Sequence, residues 1–146
     1  QAQYEHIRDV VSNYQIHRNS GTTCIPIKPV IVRETNGSGG LSMEDLNIGI
    51  SYLNEYFYPA GLEFFICGSG PVYVDNSNYY DFQSPPGSTD ESDLAAAAGE
   101  DGSAINIYFV EWINYTGGSS YTGGYAYTPD FSVQSTRMVI KFSESF

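Results

Sequence analysis

Apolar residues change their spacing twice between residues 25 and 67. The β-branched run 25–33 predicts a first strand, and its two prolines, Pro26 and Pro29, are typical of an edge or an irregular start. Residues 62–67 predict a second strand. Between the two runs, apolar positions recur every three or four residues and predict a helix that buries one face: Leu46, Ile50, Leu53 and Phe57. Strand, helix and strand in this order predict a right-handed crossover between parallel strands.

Turn and capping residues set the limits of these elements. Ser42 is followed by acidic residues and predicts the start of the helix, while Pro59-Ala60-Gly61 predicts its end. Residues 68–102 are polar and contain several glycines and prolines. They predict a long loop with a short helix at 91–98.

Three more strands are predicted downstream. In the run 104–112, Ile105, Ile107 and Phe109 alternate with the residues between them, which predicts a strand. Residues 125–128 and 138–142 predict two short strands after a glycine-rich connection. Five strands with two or three helices predict a mixed α/β fold.

An apolar stripe also runs along residues 4–17 and predicts a short amphipathic helix at the N-terminus: Tyr4, Ile7, Val10, Val11 and Tyr14. This helix has no assigned partner in the five-stranded core. We therefore divide the chain into an N-terminal helical arm, residues 1–23, and one folded unit, residues 24–146.

The charge composition argues against nucleic acids and anionic membranes as binding partners. The 146 residues carry 6 basic and 17 acidic side chains, a net charge of −11, so there is no basic surface for nucleic acid or an anionic membrane. No apolar run approaches the roughly 18 residues of a membrane span. Few lysines, many tyrosines and glycines, and a start at Gln1 without methionine are typical of an exported, processed bacterial protein, so we expect it to be secreted and extracellular.

The residues offer little catalytic chemistry. An H-E-x-x-H zinc motif is absent, and we interpret the two histidines, His6 and His17, as solvated side chains of the arm. Of the two cysteines, we interpret Cys67 as a small core residue, and a disulfide bond between Cys67 and Cys24 is an alternative. Calcium binds oxygen ligands such as the acidic side chains between 90 and 101, but no calcium-loop motif is present, so we interpret this cluster as a solvated loop: Asp90, Glu91, Asp93, Glu100 and Asp101.

Several segments, in order, resemble the pappalysin family (cytophagalysin type) of secreted zinc metalloproteases. Ile105-Asn106-Ile107-Tyr108-Phe109-Val110, Gly124-Tyr125-Ala126-Tyr127-Thr128-Pro129 and Met138-Val139-Ile140 resemble the stretch before that family's catalytic helix, and residues 25–32, 52–54, 62–68 and 79–82 resemble its upstream elements. The resemblance implies a metzincin-like N-terminal subdomain: a twisted five-stranded mixed sheet with a backing helix, forming the upper half of a substrate cleft.

The resemblance also implies where the chemistry of such an enzyme lies. In that family the zinc ligands and the catalytic Glu follow the strand that residues 138–142 resemble, whereas this sequence ends at Phe146. No catalytic or metal-binding residue carries over, and we expect no cofactor in this chain, with zinc only in a parent enzyme. We expect such a parent gene to encode H-E-x-x-H within about 20 residues of Phe146.

One functional element does carry over. The family's strand before the last is the exposed upper rim of the cleft, where an extended substrate adds antiparallel. The matching substrate-binding residues here are Gly124, Tyr125, Ala126, Tyr127 and Thr128. The alternative is an ordinary edge strand ended by Pro129.

Two functions follow. The first is the N-terminal half of a secreted zinc endopeptidase, inactive without its C-terminal half, which it needs as a partner. The second is a non-catalytic extracellular module that binds or assembles with copies of itself. In both, one apolar sheet face, made by alternate residues of 105–109 and 138–142, needs a cover.

Overall fold

A computed structural model describes residues 21–82, 88–113, 123–127 and 136–142 of the chain. Its elements, in chain order, are β1 (Thr23–Arg33), α1 (Met43–Phe57), β2 (Leu62–Ile66), β3 (Val72–Asp75), α2 (Ser77–Tyr80), β4 (Asp81–Phe82), α3 (Thr89–Ala98), β5 (Ile105–Val110), β6 (Trp112–Ile113), β7 (Gly124–Ala126) and β8 (Arg137–Lys141). The fold is mixed α/β, as the sequence pattern predicts. Residues 1–20 of the N-terminal arm lie outside the described residues, and β1 begins at Thr23, the last residue assigned to the arm.

The main sheet is parallel except at one edge. Its strand order is β2–β1–β5–β8–β7, and β3 also pairs with β1. Only β7 runs antiparallel, against β8. The main sheet has six strands rather than the predicted five, because the 11-residue β1 is long enough to pair with β2 along its first half and with β3 along its second half.

The crossover from β1 through α1 to β2 has the predicted parallel pairing. The Ser42 hydroxyl caps α1 by accepting a hydrogen bond from the Asp45 amide. A 3-10 turn over Tyr58–Ala60 follows α1, and Gly61, whose backbone is left-handed (φ 71°), ends that turn. The short helix predicted at 91–98 is confirmed as α3, which begins at Thr89. The prediction of a loop for the rest of 68–102 is wrong: β3, α2 and β4 fall within it, and β4 pairs with β6 in a separate small sheet.

The two faces of the sheet are covered unequally. On the face that packs against α3, the buried cluster includes Val30, Val32, Leu94, Tyr108 and Val139. On the face that packs against α1, the buried cluster in the described part of the chain is Ile27, Phe64 and Ile107. The residues around this cluster are only partly buried, so α1 covers its side of the sheet incompletely.

Both cysteines are free thiols. Cys24 is exposed. Cys67 is only partly buried, which corrects the prediction of a core residue: β2 ends at Ile66, and Cys67 already belongs to the turn that follows. Among the described residues, no helix has the length and apolar character needed to cross a membrane.

Candidate peptide-binding edge

The predicted substrate-binding residues lie at the antiparallel edge of the sheet. β7 covers Gly124–Ala126, and its register on β8 places Tyr125 opposite Val139. Tyr127 follows the strand, and Thr128 lies outside the described residues. The strand therefore starts one residue earlier than the pattern 125–128 predicts.

The main-chain groups of β7 alternate between β8 and the outer side. The Lys141 amide donates to the Gly123 carbonyl at 2.8 Å, and the Tyr127 amide donates to the Arg137 carbonyl at 3.5 Å. Because the direction alternates along an antiparallel strand, Gly124 and Ala126 direct their N–H and C=O groups away from β8. Both residues are exposed, and no described strand pairs with them on that side. Among the described residues, the outer side of β7 is therefore an unpaired β-edge.

Gly124 lets the two backbones approach closely. A Cβ atom at this position would lie 2.8 Å from the Val139 carbonyl oxygen, inside van der Waals contact. Any larger residue would push β7 away from β8. Glycine here therefore supports the close pairing of β7 with β8.

The side chains of Tyr125 and Tyr127 point toward α3. Tyr125 donates its hydroxyl to Glu91 Oε2 at 2.8 Å, and Tyr127 donates to both Glu91 oxygens at 2.9 and 2.8 Å. Glu91 is 1% exposed. Side-chain hydroxyls thus tie the edge strand to a buried carboxylate on a helix.

Arg137 of β8 joins Glu91 to a second carboxylate. Its Nη1 pairs with Glu91, while Nε and Nη2 donate to the two oxygens of Glu100 at 2.6 and 2.8 Å. Tyr108 donates to Glu100 at 3.0 Å. Two carboxylates and one guanidinium leave this cluster with a formal charge of −1, which the hydroxyl donors stabilise.

Burial shifts the proton affinities of the cluster. It raises the pKa of Tyr108 and of Tyr125 far above the usual value of 10.0, with the adjacent carboxylates adding to the effect. The hydrogen bonds to Glu100 raise the pKa of Arg137. The tyrosines therefore stay neutral donors and the arginine stays charged over the physiological range.

The interpretation of residues 90–101 as a solvated acidic loop is wrong for two of its members. Glu91 lies on α3 and is buried, and the Glu100 side chain is 11% exposed. Asp90 and Asp93 do face solvent, and Asp101 accepts hydrogen bonds from Ser103, which lower its pKa. Within the described residues, no group of three or more His, Cys, Asp or Glu side chains is placed to hold a metal ion.

At β2, on the opposite side of the sheet, a side chain of α1 caps the main chain of one residue. The Asn54 side chain of α1 donates to the Phe64 carbonyl at 2.9 Å and accepts from the Phe64 amide at 2.6 Å. The Asn54 side chain therefore occupies the main-chain groups that Phe64 would offer to a neighbouring strand. On the outer side of β7, no described strand is paired.

Comparison with known proteins adds no assignment: no protein-family model matches the chain, and no curated protein is similar to it in sequence.

Proposed function

We propose that this chain is the N-terminal subdomain of a secreted zinc endopeptidase of the pappalysin type, inactive by itself, with β7 as the upper rim of its substrate cleft. The observation that carries the proposal is the outward main chain of Gly124 and Ala126 on an antiparallel edge with which no described strand pairs. An extended peptide aligned antiparallel to β7 would exchange N–H···O=C bonds with these two residues.

The position of β7 in the chain supports this proposal. β7 precedes β8 in sequence but lies outside it in the sheet, so the strand before the last is the edge strand. The resemblance to pappalysins assigns the substrate rim to the same strand. Recognition through the main chain would tolerate many peptide sequences, because the two outward residues bring no large side chain.

In this proposal the peptidase chemistry belongs to the rest of the parent protein. The chain has two histidines, His6 and His17, both outside the described residues, and the described residues contain no metal-binding group. The parent would supply the zinc ligands and the general base that activates water. The purified chain with added zinc should therefore leave peptides intact, and chelator-sensitive cleavage that survives further purification would contradict this.

Peptide binding tests the rim directly. The probe is a fluorescent, end-blocked hexapeptide of alternating threonine and valine, and the matched control carries an N-methyl group on every residue, so neither of its edges can donate to β7. Fluorescence anisotropy should show binding of the first peptide and about tenfold weaker binding of the second. Equal affinity for both peptides, or no binding of either, would overturn the proposal.

A second candidate function is an extracellular module that assembles through its sheet. The α1 face favours it, because four apolar side chains of β5 and β8 remain partly exposed there: Ile105, Phe109, Met138 and Ile140. The mass of the protein as its source makes it separates the two candidates. A peptidase would be much longer than this chain, whereas a module would end near Phe146 and form oligomers in sedimentation experiments.

A further inference from the structure

The rim strand is short and has few main-chain bonds to hold it. β7 has three residues, and the two bonds that flank it, at Gly123 and Tyr127, measure 2.8 and 3.5 Å. A strand of this length at a sheet edge frays readily when only its ladder holds it. Its position must therefore depend on contacts beyond the ladder.

Glu91 supplies those contacts from behind the sheet. Its two oxygens accept the hydroxyls of Tyr125 and Tyr127 and pair with Arg137, so that one carboxylate links α3, β7 and β8. Burying a carboxylate is costly unless charged and hydrogen-bonded partners compensate. Here three donors do so, and two of them belong to the rim segment.

The anchoring groups and the recognition groups of the rim are separate. Side chains of Tyr125 and Tyr127 bind Glu91, while no described strand pairs with the outward main chain of Gly124 and Ala126. We propose that Glu91 is a positioning residue for the rim: through the two tyrosine hydroxyls it holds β7 in the extended geometry that accepts a peptide. The inference rests on the proposed function, since it names what prepares that same edge.

This role differs from that of a space-filling core residue. Apolar side chains would bury area without fixing the strand, because the hydrophobic effect is non-directional. Hydrogen bonds to a charged acceptor are directional and short, so they fix the orientation of both tyrosines. Loss of the hydroxyls should loosen β7 selectively, because the pairing of Glu91 and Glu100 with Arg137 would remain.

The test uses the double variant Tyr125→Phe/Tyr127→Phe, which keeps both rings and the carboxylates. The matched control is Tyr80→Phe, which removes a tyrosine–glutamate bond at Glu111, 3.1 Å long, away from β7. Amide hydrogen exchange and affinity for the threonine–valine peptide are measured on both. Glu91→Gln is a second variant that removes the charge and retains one acceptor oxygen.

In the double variant, the main-chain amides of positions 125 and 127 should exchange with solvent at least about tenfold faster, and the affinity for the peptide should be about tenfold lower. The exchange rates of the β1 and β5 amides should not change. Tyr80→Phe should alter neither quantity. Unchanged exchange at β7, or equal acceleration across all strands, would overturn the inference. If the wild-type protein binds no peptide, the proposed function fails. Faster exchange confined to β7 in the double variant would still support the positioning role of Glu91, and uniformly faster exchange would still overturn it.

Discussion

Arg137 and Glu100 form a two-point ion pair, with Nε donating to Oε1 at 2.6 Å and Nη2 donating to Oε2 at 2.8 Å. The same guanidinium also pairs with Glu91. One arginine therefore compensates two carboxylates that the fold removes from water, and Tyr125 of β7 is hydrogen-bonded to one of them, Glu91.

Replacing Arg137 should destabilise the protein strongly. Arg137→Met leaves two largely buried carboxylates without their cation, a change that costs about 3–5 kcal/mol of unfolding free energy. Urea denaturation measures it. The matched control is Arg33→Met, which breaks an exposed pair with Asp75 and should have a much smaller effect. Equal losses of unfolding free energy in the two variants would show that burial does not determine how much the Arg137 cluster contributes to stability.

Alkaline pH should unfold the protein through its buried tyrosines. The folded pKa values of Tyr108 and Tyr125 are raised above the usual 10.0, so the folded state holds these protons more tightly than the unfolded state does. Their contribution to stability is fully present below pH 10 and decreases as the pH rises above it. Phenolate absorbance and circular dichroism should show these two groups ionising only as the fold is lost, and Tyr108→Phe should make the alkaline decline shallower. Complete ionisation of all tyrosines in a folded protein would contradict this.

The close approach of β7 to β8 should not tolerate a methyl group. Gly124→Ala would place a Cβ atom 2.8 Å from the Val139 carbonyl oxygen, and relief of that overlap costs about 1–3 kcal/mol or detaches β7 locally. Gly123→Ala is the neighbouring control, because its Cβ would meet nothing within 4 Å. Faster exchange of the Tyr125 amide is expected only in Gly124→Ala. Identical behaviour of the two variants would mean that the backbones tolerate wider spacing.

The Asn54 side chain should contribute measurably to the stability of the fold. Asn54→Ala removes both hydrogen bonds to Phe64 and leaves main-chain groups of β2 unpaired, which costs about 1–3 kcal/mol. Asn47→Ala, at an exposed site on the same helix, is the matched control. Thermal unfolding compares the two. A loss no larger than that of Asn47→Ala would show that water replaces the Asn54 amide at no cost.

Local signals in the sequence predicted the β1–α1–β2 unit, because apolar spacing, the Ser42 cap and the Gly61 stop all act within a few residues. β3 and β4 were missed, since strands of four and two residues are too short to show a period. Glu91 and Arg137 are 46 residues apart, so no local pattern could reveal their pairing. A lone arginine within an apolar strand was the available signal that buried carboxylates face it. The rim assignment came from the family resemblance rather than from residue spacing.

The central claim, that the outer edge of β7 binds an extended peptide, is tested most directly by NMR of the isotope-labelled chain with the threonine–valine peptide. The account predicts shifts concentrated at the Gly124 and Ala126 amides and cross-strand contacts between peptide α-protons and β7, both absent with the N-methylated peptide. Shifts centred on another surface, or identical shifts with both peptides, would contradict it.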